Sequence, residues 1–314
     1  MDNIKIEISI VIPAYNEDKN LEDLMEKIDT TFSNSFYLNQ YEVIIINDGS
    51  TDDSENIGKK LSKKYNKLTF INLKENVSKA YSLDTGIYYS KGNIIATMDA
   101  DMQYNPDDLI KMINLIYEGA DIVNGKRENR KDTLIIKSFS KIYNFILRSV
   151  FNMELGDFFC GIKVFKKKIY DLMEYSGLAR FVIFFSKKYK FNINEIEIQH
   201  SLRTKGKTAY SFIDRIVLSI KDIFTLFICI KLERNGFYQV KQVIFSIYFF
   251  LTLFFIFAKI FFNVLNDTYF YYFISSFSIF FIIGLIIETF LKSKERDTFN
   301  LKKNIKSIID NKKL

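Results

Sequence analysis

The stretch "IIATMDADMQYNP", residues 94–106, decides how the rest of the chain is read. A run of apolar residues ends abruptly in Asp99 and Asp101, with Gln103 and Pro106 close behind. Residues i and i+2 of an extended chain face the same way. Asp99 and Asp101 can therefore present their oxygens to one point at a strand end, and Gln103 can add a neutral oxygen. Carboxylates this close repel each other unless a proton or a cation intervenes. Helix capping is the ordinary alternative, but Asn105 is better placed to cap the helix that opens with "PDDLIKMI". Oxygen-only ligation suits Mg²⁺ or Mn²⁺, which keep positions open for phosphate oxygens. Asp99, Asp101 and Gln103 are accordingly the expected metal ligands.

Around this stretch, apolar segments alternate with amphipathic ones. Residues 6–12, "IEISIVI", read as a strand, and "NEDKNLEDLMEKIDTTF" then puts Leu21, Leu24, Met25, Ile28 and Phe32 on one helical face. "YEVIIIND" is a second strand that enters the turn "DGSTDDS" and a polar helix. "KLTFINL" is a third strand, Ser78 to Ser90 a helix, and "NIIATM" a fourth strand. The helix after Pro106 carries Leu109, Met112, Ile113 and Ile116, and "ADIVNGKR" adds a short strand. Unbroken apolar strands interleaved with helices predict an α/β fold with a parallel sheet covered on both faces. Ligands bind such sheets beyond the carboxyl ends of the strands. "PAYNE", "NDGSTD" and "DADMQ" each follow a strand, so these polar clusters converge in space. Asp-Gly-Ser alone is ordinary turn chemistry; the three together point to a site.

The formal net charge of +7 suits an anionic partner without choosing among nucleic acid, anionic lipid and phosphorylated substrates. Cys160 and Cys229 lack zinc or redox spacing, and the single His200 cannot anchor a histidine metal cluster. A reducing cytoplasmic setting is the simple reading. The opening "MDNIKIEISIVIPAYNE" enters a strand without a signal-peptide pattern.

The last third is different. "QVIFSIYFFLTLFFIFA", residues 242–258, carries no charge, and "TYFYYFISSFSIFFIIGLIIETFL" follows at 268–291. Each approaches the about 20 residues needed to cross a hydrocarbon core of about 30 Å. Lys259 and Glu288 fall near span ends, where they avoid the about 2.5–3.5 kcal/mol charged to a mid-membrane position. The connecting "NVLND" has no Lys or Arg, whereas Lys231, Arg234, Lys241, Lys292, Lys294, Arg296, Lys302 and Lys303 flank the outer ends. The positive-inside rule leaves both termini in the cytoplasm. Residues 211–232, "SFIDRIVLSIKDIFTLFICIKL", read either as a helix at the bilayer surface or as one covering the core.

"VIPAYNE", "IIINDGSTD", "MDADMQYNPDDL" and "NGKR" resemble the ordered motifs of glycosyltransferase family 2. "SKIYN", "GDFFCGIKVFKK" and "EIEIQHSLRTKGKTAYS", with the two apolar spans, resemble its subgroup of dolichol-phosphate mannose synthases and bacterial polyprenyl-phosphate glycosyltransferases. The resemblance implies a Rossmann-like, nucleotide-sugar-binding GT-A domain over residues 1–210. An interfacial segment at 211–238, a two-helix transmembrane hairpin at 239–292 and a basic cytoplasmic tail at 293–314 complete the expected layout. Pro13, Tyr15 and Glu17 would line the nucleotide pocket, with Asp48 on the base or ribose. Asp99, Asp101 and Gln103 match the metal and diphosphate motif. Arg127 and Lys141 would grip the acceptor phosphate, and Arg203 would approach the donor diphosphate. Asn47 stands where many members have Asp, "NVSKAYSLDTG" replaces a small-residue "NxGxxxA" region, and Ala209 takes a slot usually held by Lys, with Lys205 and Lys207 nearby.

The implied reaction moves a hexose from a nucleotide diphosphate sugar to a polyprenyl phosphate such as undecaprenyl phosphate, with inversion. The late motif leans toward uridine diphosphate sugars such as UDP-glucose. The site would sit at the inner membrane, in a multi-pass protein, with no nucleic-acid partner; self-association through the spans is compatible with this layout. A processive polysaccharide synthase would carry a Gln-x-x-Arg-Trp motif, and this chain has no Trp. Transfer to a lipid or glycan hydroxyl would need a carboxylate base, for which Asp157 is available. A non-catalytic membrane scaffold would not require Asp99, Asp101 and Gln103.

Overall fold

The computed structural model describes residues 5–128, 134–173, 179–201, 222, 226 and 305–310. The chain divides into two compact units, residues 1–219 with 296–314, and residues 220–295. All the strands and helices below belong to the first. Among the described residues no helix is long and apolar enough to cross a membrane. The expected hairpin at 239–292 lies outside the described residues, as do Arg203 and almost all of 211–238.

In chain order the elements are β1 (Ile8–Ala14), α1 (Leu21–Ser33), β2 (Tyr41–Asn47), α2 (Ser54–Lys64), β3 (Leu68–Leu73), α3 (Lys79–Tyr89), β4 (Ile94–Thr97), α4 (Pro106–Tyr117) and β5 (Ile122–Glu128). There follow α5 (Leu134–Phe151), β6 (Lys163–Lys166), α6 (Lys167–Asp171), a 3-10 turn (Ala179–Phe181), α7 (Val182–Lys188), β7 (Ile193–Gln199) and β8 (Ile305–Asp310). One eight-stranded sheet runs β7-β5-β6-β4-β1-β2-β3-β8. β1 pairs in parallel with β2 and β4, and β2 with β3, so all four end at one rim.

The apolar runs explain the arrangement. Ile8, Ile10, Val11 and Ile12 of β1 are fully buried, so both faces of the strand are covered, as a central parallel strand requires. α1 buries Leu21, Leu24, Met25, Ile28 and Phe32, the five residues its periodicity selects. Each side chain of this size gains about 1.5–3 kcal/mol on burial. Asn105 caps α4, its side chain accepting the Asp107 N–H at 3.3 Å.

The expectation of a parallel sheet needs correction. β6 is antiparallel to both β4 and β5, and β8 is antiparallel to β3. The reason for β6 lies in the loop before it. β5 ends at the carboxyl rim, and after α5 the chain comes back to that rim, where Asp157 is held by Arg127 at the end of β5. A strand that starts there has only the antiparallel direction open to it. β8 closes the other side with a half-buried strand, tied by Lys306 to Glu55 at 3.0 Å and by Lys91 to Asp310 at 3.6 Å. Part of the expected basic tail is thus a strand of the sheet.

Candidate active site

The loops after β1 and β2 interlock at the rim. Asp48 N–H donates to the Ala14 carbonyl at 2.8 Å, Asn16 N–H to Ser50 Oγ at 2.9 Å and Glu17 N–H to Ser54 Oγ at 3.0 Å. Thr51 N–H returns to Asn16 Oδ1 at 2.8 Å. Gly49 allows the turn: its φ is +65°, and a β-carbon there would run into the backbone of Glu75 and Asn76. Pro13 and Tyr15 are half-buried beside this junction, while Glu17 is buried and accepts from Asn20 Nδ2 at 2.6 Å. Asp48 is buried and its Oδ1 accepts the Val77 N–H at 2.8 Å. Burial pushes the Asp48 carboxyl above its ordinary range, although that N–H, with Ser82 and Ser78, offsets part of the effect.

β4 stops at Thr97, before the acidic motif, and Met102 takes a left-handed φ of +61°. Strict strand alternation therefore does not carry through to Asp101. Asp99 Oδ1 is ion-paired with Lys79 at the start of α3. A β-carbon on Gly161 would collide with the Asp99 carboxylate, so a glycine is what lets the loop before β6 close over it. Burial raises the Asp99 carboxyl, but Lys79, with Lys163 and Arg127 further off, outweighs this and holds it below the usual carboxylate range. Asp101 is half-buried and its Oδ1 accepts the Gln103 N–H at 3.3 Å. Gln103 Nε2 donates to the Ser201 carbonyl at 3.1 Å, and Ser201 N–H returns to the Gln103 carbonyl at 3.0 Å. This double contact binds the segment after β7 to the acidic motif. Beside it opens a cavity of about 760 Å³ lined by Met102, Tyr104, Gln199 and Ser201, among others, but not by Asp99 or Asp101.

A second polar hub stands beyond β6. Arg127 gives Nε to Asp157 Oδ2 at 2.5 Å and Nη2 to Oδ1 at 2.9 Å, and the two side chains are only 14% and 7% exposed. Burial lowers the guanidinium's proton affinity, but the Asp157 hydrogen bonds and charge more than reverse this. Glu195 of β7 fixes the loop by accepting the N–H groups of Gly156 at 2.7 Å and Asp157 at 3.1 Å. Tyr104 hydroxyl accepts the Gly161 N–H at 3.0 Å, linking this loop to the acidic motif. Burial pushes the Cys160 thiol upward, which makes it a poor nucleophile. Lys141 is exposed on α5.

The rim thus gathers Pro13, Tyr15, Glu17, Asp48, Asp99, Asp101 and Gln103 around the ends of β1, β2 and β4. Arg127 joins them through the loop before β6, while Arg203 lies outside the described residues. Sequence reading missed Lys79 as the partner of Asp99, although "NVSKAYSLDTG" was singled out as unusual. It also missed that Asn47 faces Asn72 in register and donates to its side-chain oxygen at 2.6 Å. An amide there makes a neutral cross-strand bond where a carboxylate would leave a buried charge.

Comparison with known proteins agrees with this geometry. The model of the family described as Glycosyl transferase family 2 matches residues 9–173. The undecaprenyl-phosphate 4-deoxy-4-formamido-L-arabinose transferase of Salmonella choleraesuis is 30% identical over 220 residues, 69% of this chain and 66% of the relative. Its Klebsiella pneumoniae counterpart is 29% identical over the same shares. The match therefore spans a little under two-thirds of these relatives' length. Among solved structures, glucosyl-3-phosphoglycerate synthase from Mycobacterium tuberculosis, in complex with Mn²⁺, UDP and glucosyl-3-phosphoglycerate, is similar with a TM-score of 0.53. At 14% identity over 71% of this chain and 80% of that one, it speaks for a GT-A-like fold with a mixed sheet. The chain belongs to glycosyltransferase family 2.

Proposed function

We propose that this protein is an inverting, membrane-anchored glycosyltransferase that moves a sugar from a nucleoside diphosphate sugar to a polyprenyl phosphate. The observation that carries the reading is the meeting of "PAYNE", "NDGSTD" and "DADMQ" at one carboxyl rim. The bonds of Asn16, Glu17 and Asp48 lock the first two loops together, and Asp48 at Val77 with Lys79 on Asp99 ties in the third. The relatives' names carry undecaprenyl phosphate as acceptor, and the Mycobacterium synthase was solved with Mn²⁺ and UDP. The donor lean is a UDP-sugar such as UDP-glucose; the relatives' modified arabinose extends the candidates to pentoses.

The donor set fits a hard divalent cation. Asp99 already attracts a cation, the Lys79 ammonium, and Asp101 and the Gln103 amide oxygen are the neighbouring oxygen ligands. Bound there, Mg²⁺ or Mn²⁺ would neutralise charge on the departing diphosphate. The chain's own residues do the rest. Pro13, Tyr15 and Glu17 wall the nucleotide side, and Asp48 braces the loop at Val77. Arg203, which lies outside the described residues, is assigned to the donor diphosphate on its motif position alone. Arg127, fixed by Asp157 through Nε and Nη2, would meet an acceptor phosphate, with Lys141 as a second cation. A phosphate oxygen is already anionic and needs no strong base. Transfer to a hydroxyl is disfavoured, because its candidate base, Asp157, commits both carboxylate oxygens to Arg127.

β8 supports an even number of crossings, since residues 305–310 pair with a strand of the catalytic unit, and the basic residues flanking the apolar spans favour the cytoplasm as the shared side. Calorimetry with UDP tests the donor reading: binding should require Mn²⁺, vanish with chelator and fail in Asp101→Asn. Metal-independent binding of equal strength would overturn it.

A further inference from the structure

Lys79 opens α3, and its ammonium is bonded to Asp99 Oδ1, the first carboxylate of the rim motif. Three separate features build this contact. Ser78, the preceding residue, has φ +94° and ψ 150°, a region that glycine occupies and other residues enter only when their surroundings force them. The surroundings here are identifiable. Val77 N–H is held by Asp48 Oδ1 at 2.8 Å, and Asp48 is in turn anchored to β1 through the Ala14 carbonyl at 2.8 Å. On the acidic side, Gly161 crowds Asp99 so closely that no β-carbon would fit between them. Cation and carboxylate are therefore each fixed by their own element and aimed at each other.

The pair is also in an informative place. The Lys79 and Asp99 side chains keep 38% and 25% of their exposure, at the rim where the parallel strands end. Partly exposed at that rim, the pair is within reach of an incoming ligand. Strained backbone at such a position is characteristic of functional sites. A lysine ammonium is a compact charge on a flexible stem, able to change partners without backbone movement.

We infer that Lys79 is a built-in counter-cation of the donor site: it occupies Asp99 while no nucleotide is bound, and gives it up when a divalent cation arrives with a nucleoside diphosphate. The inference rests on the reading of Asp99 and Asp101 as ligands of that cation. Free metal must displace the ammonium from Asp99 and so binds weakly. When the nucleotide arrives with the metal, the displaced ammonium finds new anions in the diphosphate oxygens. Metal and nucleotide affinities are then coupled, and the coupling is reciprocal.

The test is a titration of Mn²⁺ into the full-length protein, with bound ion counted by electron paramagnetic resonance, in the presence and absence of UDP. Wild type should bind Mn²⁺ about tenfold or more tightly with UDP than without. Lys79→Gln and Lys79→Met should raise the UDP-free affinity for Mn²⁺ by about tenfold and shrink the gain from UDP. Lys79→Arg should keep the weak UDP-free binding. If wild type binds Mn²⁺ with UDP but neither neutral variant binds it more tightly without UDP, the role of Lys79 is overturned and the metal reading stands. If wild type fails to bind Mn²⁺ even with UDP, both fall.

Discussion

Replacing Asp157 with alanine should destabilise the protein severely, by stranding a buried charge. Arg127 is held by two bonds, at 2.5 and 2.9 Å, and only 14% of its side chain is exposed. Removing one partner of a buried ion pair costs about 3–5 kcal/mol, because the remaining charge keeps its desolvation penalty without compensation. For a domain of this size class each kcal/mol lowers the melting temperature by about 2–4 °C, so the drop should be roughly 6–20 °C. The assay is calorimetric or fluorimetric melting of the detergent-solubilised full-length protein. A guanidinium stays protonated throughout the working range, so the deficit should be the same at about pH 6 and pH 9. The double variant Arg127→Met, Asp157→Leu should recover most of the loss, since an apolar pair carries no stranded charge. A single-variant drop below about 3 °C, or a double variant no better than the single, would refute the stranded-charge reasoning.

Asp101→Asn should abolish sugar transfer while leaving the melting temperature near wild type; normal turnover would remove Asp101 from the diphosphate site. Ser78→Gly should relieve a backbone cost of about 1–3 kcal/mol and raise the melting temperature by several degrees, measured by the same melt. Lys59 first, and then Lys306, hold the Glu55 carboxyl down at about 2, against an ordinary 4.5. A carboxylate with a depressed folded pKa stabilises fully above its unfolded value and loses that contribution as pH falls toward the folded one. Hydrogen exchange in β8 should therefore quicken between about pH 4.5 and 2, ahead of exchange in β1; simultaneous loss of both would contradict the tie. Gly161→Ala should push the Asp99 carboxylate off Lys79 and impair donor binding, seen as a raised KM for the nucleotide sugar.

The parts of the fold that local pattern controls were legible in the sequence. α1 buries the five residues its periodicity selects, and Asn105 caps α4 as its position implies. The meeting of the three polar loops followed from strand order alone. β6 and β8 were not legible. "KVFK" is too short to carry a pattern, and its direction depends on where the loop before it is pinned. "IKSIID" pairs with β3, whose residues lie far earlier in the chain, and it buries too little to read as a core strand. The two ion pairs of the site were hidden for a related reason. Lys79 reaches Asp99 across 20 residues and Arg127 reaches Asp157 across 30, and nothing in local spacing foretells either contact. Motif resemblance named Asp99 and Arg127; only the fold supplied their partners.

The most direct measurement is mass analysis of the lipid product. Purified protein is incubated with Mn²⁺, undecaprenyl phosphate and a panel of nucleotide sugars. One donor should yield an undecaprenyl-phosphate-sugar and the matching nucleoside diphosphate, in a reaction stopped by chelator. A panel that leaves the lipid phosphate unmodified, while sugar appears on a hydroxyl acceptor or nowhere, would contradict the proposed transfer.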